Sequence, residues 1–330
     1  ESVSRQIVDS LRLQLGPEED LMLANKPFEN IKAYECWLKA RQYIFNWTKE
    51  SLDLAKQYLV TALEIIGENP VLYAAMGFLY VQYFNCGVKK DPAIFKEAEK
   101  YVNKAFELYP EVFLGHYALG FALYLQGNVK SAIKHIKRAI EIEPTNSDAM
   151  RMLCYQYSIL LGKPEKAIQL ARRVISLDPL TPINYLAPAL IHWAHGNFKN
   201  AKEECKKYHQ MAPDNIHAQC WYSILLIWSG KLEEAYSIIE KTKNDYPGET
   251  MTKLMLFLGY ANRNEIDKVN STLSEDFLIY AWNDHFYTWF LADGFSLLDK
   301  KDESIKWLNR TIELGFINYP FIAEIDPFLK

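Results

Sequence analysis

The chain has 330 residues, 49% of them hydrophobic, and a formal net charge of −4. That suffices for a large core or a long stacked array, and the interspersed charges leave no concentrated basic face for nucleic acid or a membrane surface. The five cysteines are odd in number and include no CxxC, which argues against a disulfide framework and for a reducing, cytoplasmic setting.

No apolar run reaches the length of a membrane span, and no charged-then-apolar segment marks a secretory signal. The chain begins at Glu1 rather than Met, so a piece of a longer protein is expected. Residues 1–15 read as a leading helix, and 1–32 as that helix with a linker to an upstream domain. Residues 33–69 hold Ala40, Tyr43, Ala55, Leu59 and Ala62 around a long turn, FNWTKES (45–51). Residues 70–112 hold Met76, Gly77, Tyr80, Ala98, Val102, Ala105 and Pro110, with a longer turn at NCGVKKDPA (85–93).

From there the chain becomes periodic. Gly127, Gly162, Gly196 and Gly230 stand 35, 34 and 34 residues apart. Five residues after each comes an alanine (Ala132, Ala167, Ala201, Ala235), and seventeen after each a proline (Pro144, Pro179, Pro213, Pro247). Three markers on one period indicate stacked supersecondary units. Between them the pattern is helical: Ile133, Ile136, Ala139 and Ile140 recur at helix spacing. Each unit therefore reads as helix, glycine turn, helix, and a loop opened by proline. The glycine allows a turn that a Cβ would hinder, the alanine lets two helices approach, and the proline ends the second helix. Residues 250–284 read as a degenerate unit with a short second helix near 264–273. Residues 285–318 recover the pattern with Ala292, Ser304, Leu308 and Thr311, and 319–330 form a capping tail.

This pattern resembles the tetratricopeptide repeat, with 113–146 as its clearest copy: Leu119 and Gly120, Ala132, Ile136, Ala139 and Pro144 fall on the family's marked positions. The resemblance implies an all-α fold, a right-handed superhelical solenoid of about seven or eight helical hairpins over 33–318. The opening and closing segments, including Asn30 to Tyr34 and GFINYPFIAEIDPFLK (315–330), resemble the repeat regions of multidomain signalling proteins, found after nucleotidyl cyclase, winged-helix or protein kinase domains. That implies a regulatory region attached to an effector.

Chemistry-bearing clusters are few. His192 and His195 share a helix face, and with Cys205 and His209 a four-ligand set can be drawn. The repeat register places His192 and Cys205 in packing slots, so a structural role outweighs a metal one. No phosphate-loop, dinucleotide, HExxH or GxSxG motif occurs, so neither an enzyme nor a cofactor is implied. In the family, certain first-helix positions line a concave groove for partner peptides. Those positions and their neighbours here are Tyr117, Phe121, Tyr124, Met152, Gln156, Leu190, Trp193, Trp221, Ile224, Trp228 and Trp289. They predict an apolar, aromatic wall suited to an amphipathic helix or extended peptide, unless close stacking buries the rings as core. The family's basic two-carboxylate clamp is not matched, because Tyr117, Phe121, Met152 and Gln156 fill its slots.

The expected function is a non-catalytic protein-interaction scaffold. Its partner would be a protein or peptide, or a second copy through 1–45 or the tail, and neither nucleic acid nor a membrane. A free-standing adaptor and a small-ligand or metal sensor stand as alternatives. Pro188, interior to a helical stretch, predicts a bend there.

Overall fold

A computed structural model describes residues 28–329; the predicted leading helix at 1–15 lies outside the described residues. The described residues form eight helical hairpins. Units 1 to 4 are α1 (Ile31–Ile44) with α2 (Lys49–Ile66), α3 (Pro70–Asn85) with α4 (Ile94–Leu108), α5 (Phe113–Leu125) with α6 (Val129–Ile142), and α7 (Ser147–Tyr155) with α8 (Pro164–Leu177). Units 5 to 8 are α9 (Leu186–Ala194) with α10 (Phe198–Met211), α11 (Ile216–Trp228) with α12 (Leu232–Asp245), α13 (Thr250–Asn262) with α14 (Ile266–Thr272), and α16 (His285–Leu297) with α17 (Lys301–Glu313). An extra helix, α15 (Glu275–Ala281), sits between units 7 and 8.

The sequence markers act as their chemistry requires. The second helices α4, α6, α8, α10 and α12 each end two residues before Pro110, Pro144, Pro179, Pro213 or Pro247, since proline disfavours helix at the residue before it. Ala132, Ala167, Ala201 and Ala235 are fully buried where paired helices meet. The turn glycines all have positive φ, from 58° to 78°. In units 7 and 8 the same turn position is held by Asn264 (φ 56°) and Asp299 (φ 57°), two residue types that tolerate the left-handed region. Asparagine side chains also cap many helices: Asn128, Asn146, Asn197 and Asn215 each accept from backbone N–H groups of the turn that follows.

Inner and outer helices differ sharply in burial. In α12 only Ala235, Tyr236, Ile239 and Thr242 are buried, as on an amphipathic surface helix. In α11 every residue except His217 is buried. A first helix facing an open groove would keep one solvated side. Here the superhelix turns tightly enough for its early and late units to meet. The Trp47 and His217 rings, from units 1 and 6, stack at 4.5 Å, and Asn215 Nδ2 donates to the Phe45 carbonyl at 3.3 Å. The Tyr280 hydroxyl of α15 donates to the Asn85 carbonyl at the end of α3, at 2.9 Å.

The tail completes the closure. A π-helical turn at Gln156–Leu160 extends α7 and leaves carbonyls free of regular helical partners. Asn318 Nδ2 donates to the carbonyl of Ile159 at 3.0 Å, and Ile317 N–H to that of Leu160 at 3.1 Å. The tail runs past three successive unit turns: a Cβ on Gly127 would meet Leu314, one on Gly162 would meet Asn318, and one on Gly196 would meet Ile325. Phe316, Phe321 and Ile322 are buried within the chain itself. Those three side chains are spent internally, while Ile317 and Tyr319 of the same tail stay exposed.

Pro188 does not lie inside one continuous α-helix. Unit 5 opens with a 3₁₀ turn, Pro182–Tyr185, and α9 begins at Leu186. Pro188 thus falls in the first α-helical turn, where a missing N–H leaves no intrahelical bond unmade.

Candidate functional site

The eleven residues expected to form an accessible wall do face the superhelix axis, but they meet one another there. None of Tyr117, Phe121, Tyr124, Met152, Gln156, Leu190, Trp193, Trp221, Ile224, Trp228 and Trp289 is more than 7% exposed. Trp193 stacks on Trp289 at 5.2 Å and meets Trp228 edge-on at 4.7 Å. The tail's Phe321 packs against the same three indoles. The open aromatic wall is thus corrected to a buried one, in which Tyr117, Phe121, Tyr124, Met152, Leu190 and Trp221 border only a small internal cavity. The physical reason is closure: once unit 8 and the tail cross the axis, the wall has apolar surface opposite it rather than water.

Two histidines hold the closure as neutral bases. His217 Nδ1 lies 2.9 Å from the Tyr208 hydroxyl, and its Nε2 accepts from Trp221 Nε1 at 3.1 Å. The Trp N–H can only donate, so the proton of His217 resides on Nδ1. His285 Nε2 lies 3.0 Å from both the Tyr124 and Tyr155 hydroxyls. Burial pulls both imidazoles down to about 3. Beside His285, Asp284 caps α16 by accepting from the N–H groups of Phe286 and Tyr287. Burial pushes its carboxyl up to about 6 despite those bonds. A second acidic pair, Asp293 and Asp326, joins α16 to the tail. Asp326 accepts from Trp289 Nε1 at 2.8 Å and from the Phe328 N–H at 2.9 Å. Burial raises both carboxyls, Asp326 to about 6.

Solvent reaches the axis at one end. Two cavities of about 390 and 510 Å³ open where α1 faces units 3 to 6. The first is lined by Trp37, Phe45, Phe113 and Tyr109, the second by Gln42, Asp178, Ile183 and Asn215, and Arg41 and Asp148 border both. Arg41 lies over the Trp37 ring, 5.0 Å from its centroid. The carboxylates around this mouth are Glu111, Glu143, Asp148 and Asp178; Glu111 pairs with Arg138, and Asp148 with Arg151 at 2.9 Å. Behind the mouth a smaller axial cavity of about 110 Å³ runs between Trp47, Tyr117, Tyr155, Arg151, Trp221 and Phe286.

The drawn metal set does not come together. His195 Nδ1 is bonded to the Ile191 carbonyl at 2.8 Å, His209 stacks on Tyr222, and Cys205 is buried between its two helices. Among the described residues no group of three or more His, Cys, Asp or Glu could hold a metal ion, and no helix is long and apolar enough to cross a membrane. The buried Cys154 and Cys220 thiols are pushed up to about 12, far from a reactive thiolate.

Sequence reasoning passed over Trp47, Arg151, Asp284 and His285, whereas His217 falls on one of the first-helix groove positions. Trp47 carried one signal, since it lies in the irregular turn of unit 1. It takes a positive φ of 54°, strained for a bulky residue, and its indole meets unit 6.

Family models of the tetratricopeptide repeat match residues 113–146 and 192–255. A human IFIT1 dimer with m7Gppp-AAAA is similar in structure, with a TM-score of 0.60 and 14% identity over 94% of this chain and 75% of that one. Yeast Tom70 aligns with a TM-score of 0.49 and 16% identity over 90% of this chain and 68% of that one. A tetratricopeptide repeat protein from Parabacteroides merdae gives 0.45 and 15%, over 86% and 100%. At such identities the likeness is one of fold. A comparison with curated proteins finds no match to the sequence.

Proposed function

We propose that this chain, a helical-repeat fold of the tetratricopeptide type, is a non-catalytic protein-interaction scaffold, the regulatory region of a larger cytoplasmic signalling protein. Its partner segment enters the mouth between α1 and units 3 to 6. One observation carries this reading: the inner wall is filled along most of the axis and remains open at the mouth, where half-buried and exposed rings stand beside polar side chains. Apolar anchors with a polar rim are what a short peptide needs. Four carboxylates against Arg41, two of them already paired, favour a segment with a Lys or Arg among apolar residues. The same charges oppose a polyphosphate chain such as the one in the IFIT1 structure, since like charge at a desolvated site costs affinity.

Selection from a random peptide library tests this. Tyr109 and Glu143 are exposed at the mouth, so Tyr109→Ala and Glu143→Lys leave the core intact. Enriched peptides are expected to be apolar with a basic residue, and each substitution is expected to weaken them about fivefold or more, as for an interface anchor. Peptides that bind both variants as well as the parent chain would remove the mouth from the mechanism.

A further inference from the structure

Just before α1, Phe28 packs edge-on against Trp37 at 5.8 Å, and Trp37 lines the first mouth cavity, so the chain enters α1 beside the mouth. Apolar side chains are uncovered around it. Tyr109, in the wall of the first cavity, is 54% exposed, and Leu38, in the wall of the second, is 42% exposed. Leu180, between the lining residues Asp178 and Thr181, is 83% exposed. Apolar groups gathered at the rim of a cavity mark a surface that another segment covers. The charge of the rim is uneven as well. Arg41 is the sole Lys or Arg lining either cavity, and it is laid over the Trp37 ring. Glu111 and Asp148 are paired with Arg138 and Arg151, which leaves Glu143 and Asp178. Burial raises the Glu143 carboxyl although the Asn146 amide donates to it, so a cation brought to this rim gains a carboxylate that is short of compensation.

We propose that residues 1–15 of the same chain, which lie outside the described residues, cover the mouth in cis, so that a partner must displace them. This rests on the reading of the mouth as a peptide site. The segment is complementary to the rim in both respects. At helical spacing Val3, Ile7, Val8, Leu11 and Leu15 share one face, and Arg5 and Arg12, seven residues apart, border it. Of its two acids, Glu1 is the first residue and Asp9 falls on the side away from the apolar face. Gly16 and Pro17 end the helical pattern, and the acidic run at 18–20 belongs to the linker rather than to that face. The linker, residues 16–27, is long enough to fold back, since twelve residues reach about 40 Å when extended. A tether this short also holds the segment at an effective concentration on the order of 1 mM. A segment with a dissociation constant of about 0.1 mM would then cover the mouth in about nine molecules of ten. Weak contacts therefore suffice, and a partner of the same apolar-and-basic character competes for the same carboxylates.

The probe is a synthetic peptide of residues 1–15, titrated by calorimetry against the full chain carrying Ile7→Asp and Leu11→Asp, whose own segment can no longer cover the mouth. Saturable binding is expected, with affinity for the parent chain lower by about tenfold, because there the tethered copy competes. Adding Glu143→Lys to the double variant is expected to weaken the peptide about fivefold or more. A peptide carrying Arg5→Glu and Arg12→Glu should bind poorly and regain affinity on Glu143→Lys. Should the double variant fail to fold, the full chain with Arg5→Glu and Arg12→Glu takes its place in the same titration. The proposal is overturned by no saturable binding up to about 10 mM, a weak-binding ceiling, by equal affinity for the parent chain and the double variant, or by binding that ignores Glu143→Lys. The two readings of the mouth separate cleanly. Library peptides that respond to Tyr109→Ala but bind the parent chain and the double variant equally overturn closure in cis and leave the mouth as a peptide site. A 1–15 peptide that responds to Glu143→Lys while library peptides ignore both mouth variants upholds closure and removes the mouth from partner binding.

Discussion

Trp193 shows at the scale of one residue how closure reassigns a side chain. Its register predicts a groove contact, so that Trp193→Ala should cost partner binding more than stability. In the structure it is fully buried among Trp221, Trp228, Trp289 and Phe321. Trp193→Ala is now expected to destabilise the chain by about 3–5 kcal/mol, as for large-to-small core changes, measured by denaturant unfolding. A cost under about 1 kcal/mol would mean the axis is open in solution. The buried acids add a pH dependence with a definite sign. Asp326 and Asp284 are raised to about 6, and Asp293 is raised as well, so the folded chain holds protons that the unfolded chain releases. The stability these groups provide is complete at low pH and is lost as pH climbs through about 6. His217 and His285, pulled down to about 3, act oppositely, withdrawing stability as pH falls below the ordinary histidine value of about 6.5. Asp293→Asn removes the buried charge at nearly the same volume. It should therefore raise stability at pH 8 and flatten the decline in Tm as pH rises above the ordinary carboxyl range. Parallel curves for the two chains would show that Asp293 does not carry the dependence.

At the scale of elements, turns that look alike in sequence carry different loads. Gly162 and Gly230 both have positive φ, 58° and 68°. A Cβ on Gly162 would strike the Asn318 side chain, whereas one on Gly230 has nothing within 4 Å. Gly230→Ala should cost only the backbone term, about 1 kcal/mol, and Gly162→Ala more, through displacement of the tail. Equal losses in chemical denaturation would show that the tail is not seated on that turn. Asn318→Ala gives up two bonds to the carbonyls of Ser158 and Ile159 and is expected to cost about 1–3 kcal/mol for the buried acceptors left behind. The amide of Ile317 should lose its hydrogen-exchange protection first. The hairpins were legible because glycine, alanine and proline act locally, each on the bonds or contacts of its own unit. Units 7 and 8 were fainter because Asn264 and Asp299 do the work of glycine with a less distinctive residue. The π turn at Gln156–Leu160 was not legible, since its carbonyls are satisfied by a tail some 160 residues away.

At the scale of the molecule, the decisive property is that a linear array becomes a ring with a filled axis. The Trp47–His217 stack and the Asn215–Phe45 bond join unit 1 to unit 6. Trp47→Ala should release that seam, increase the radius of gyration in small-angle scattering, and leave helix content nearly unchanged, since each hairpin depends on its neighbours. An unchanged radius would show that the seam is held by other contacts. By itself the sequence determined the all-helical class and the period of the regular units, because both follow from spacing within one unit and its nearest neighbour, whereas the extra helix α15 within 250–284 left no such mark. Only the tertiary structure decided whether the units' inward faces met water, a partner or each other. Small rotations between successive units add along the chain, and their sum, rather than any one motif, brought unit 8 and the tail across the axis.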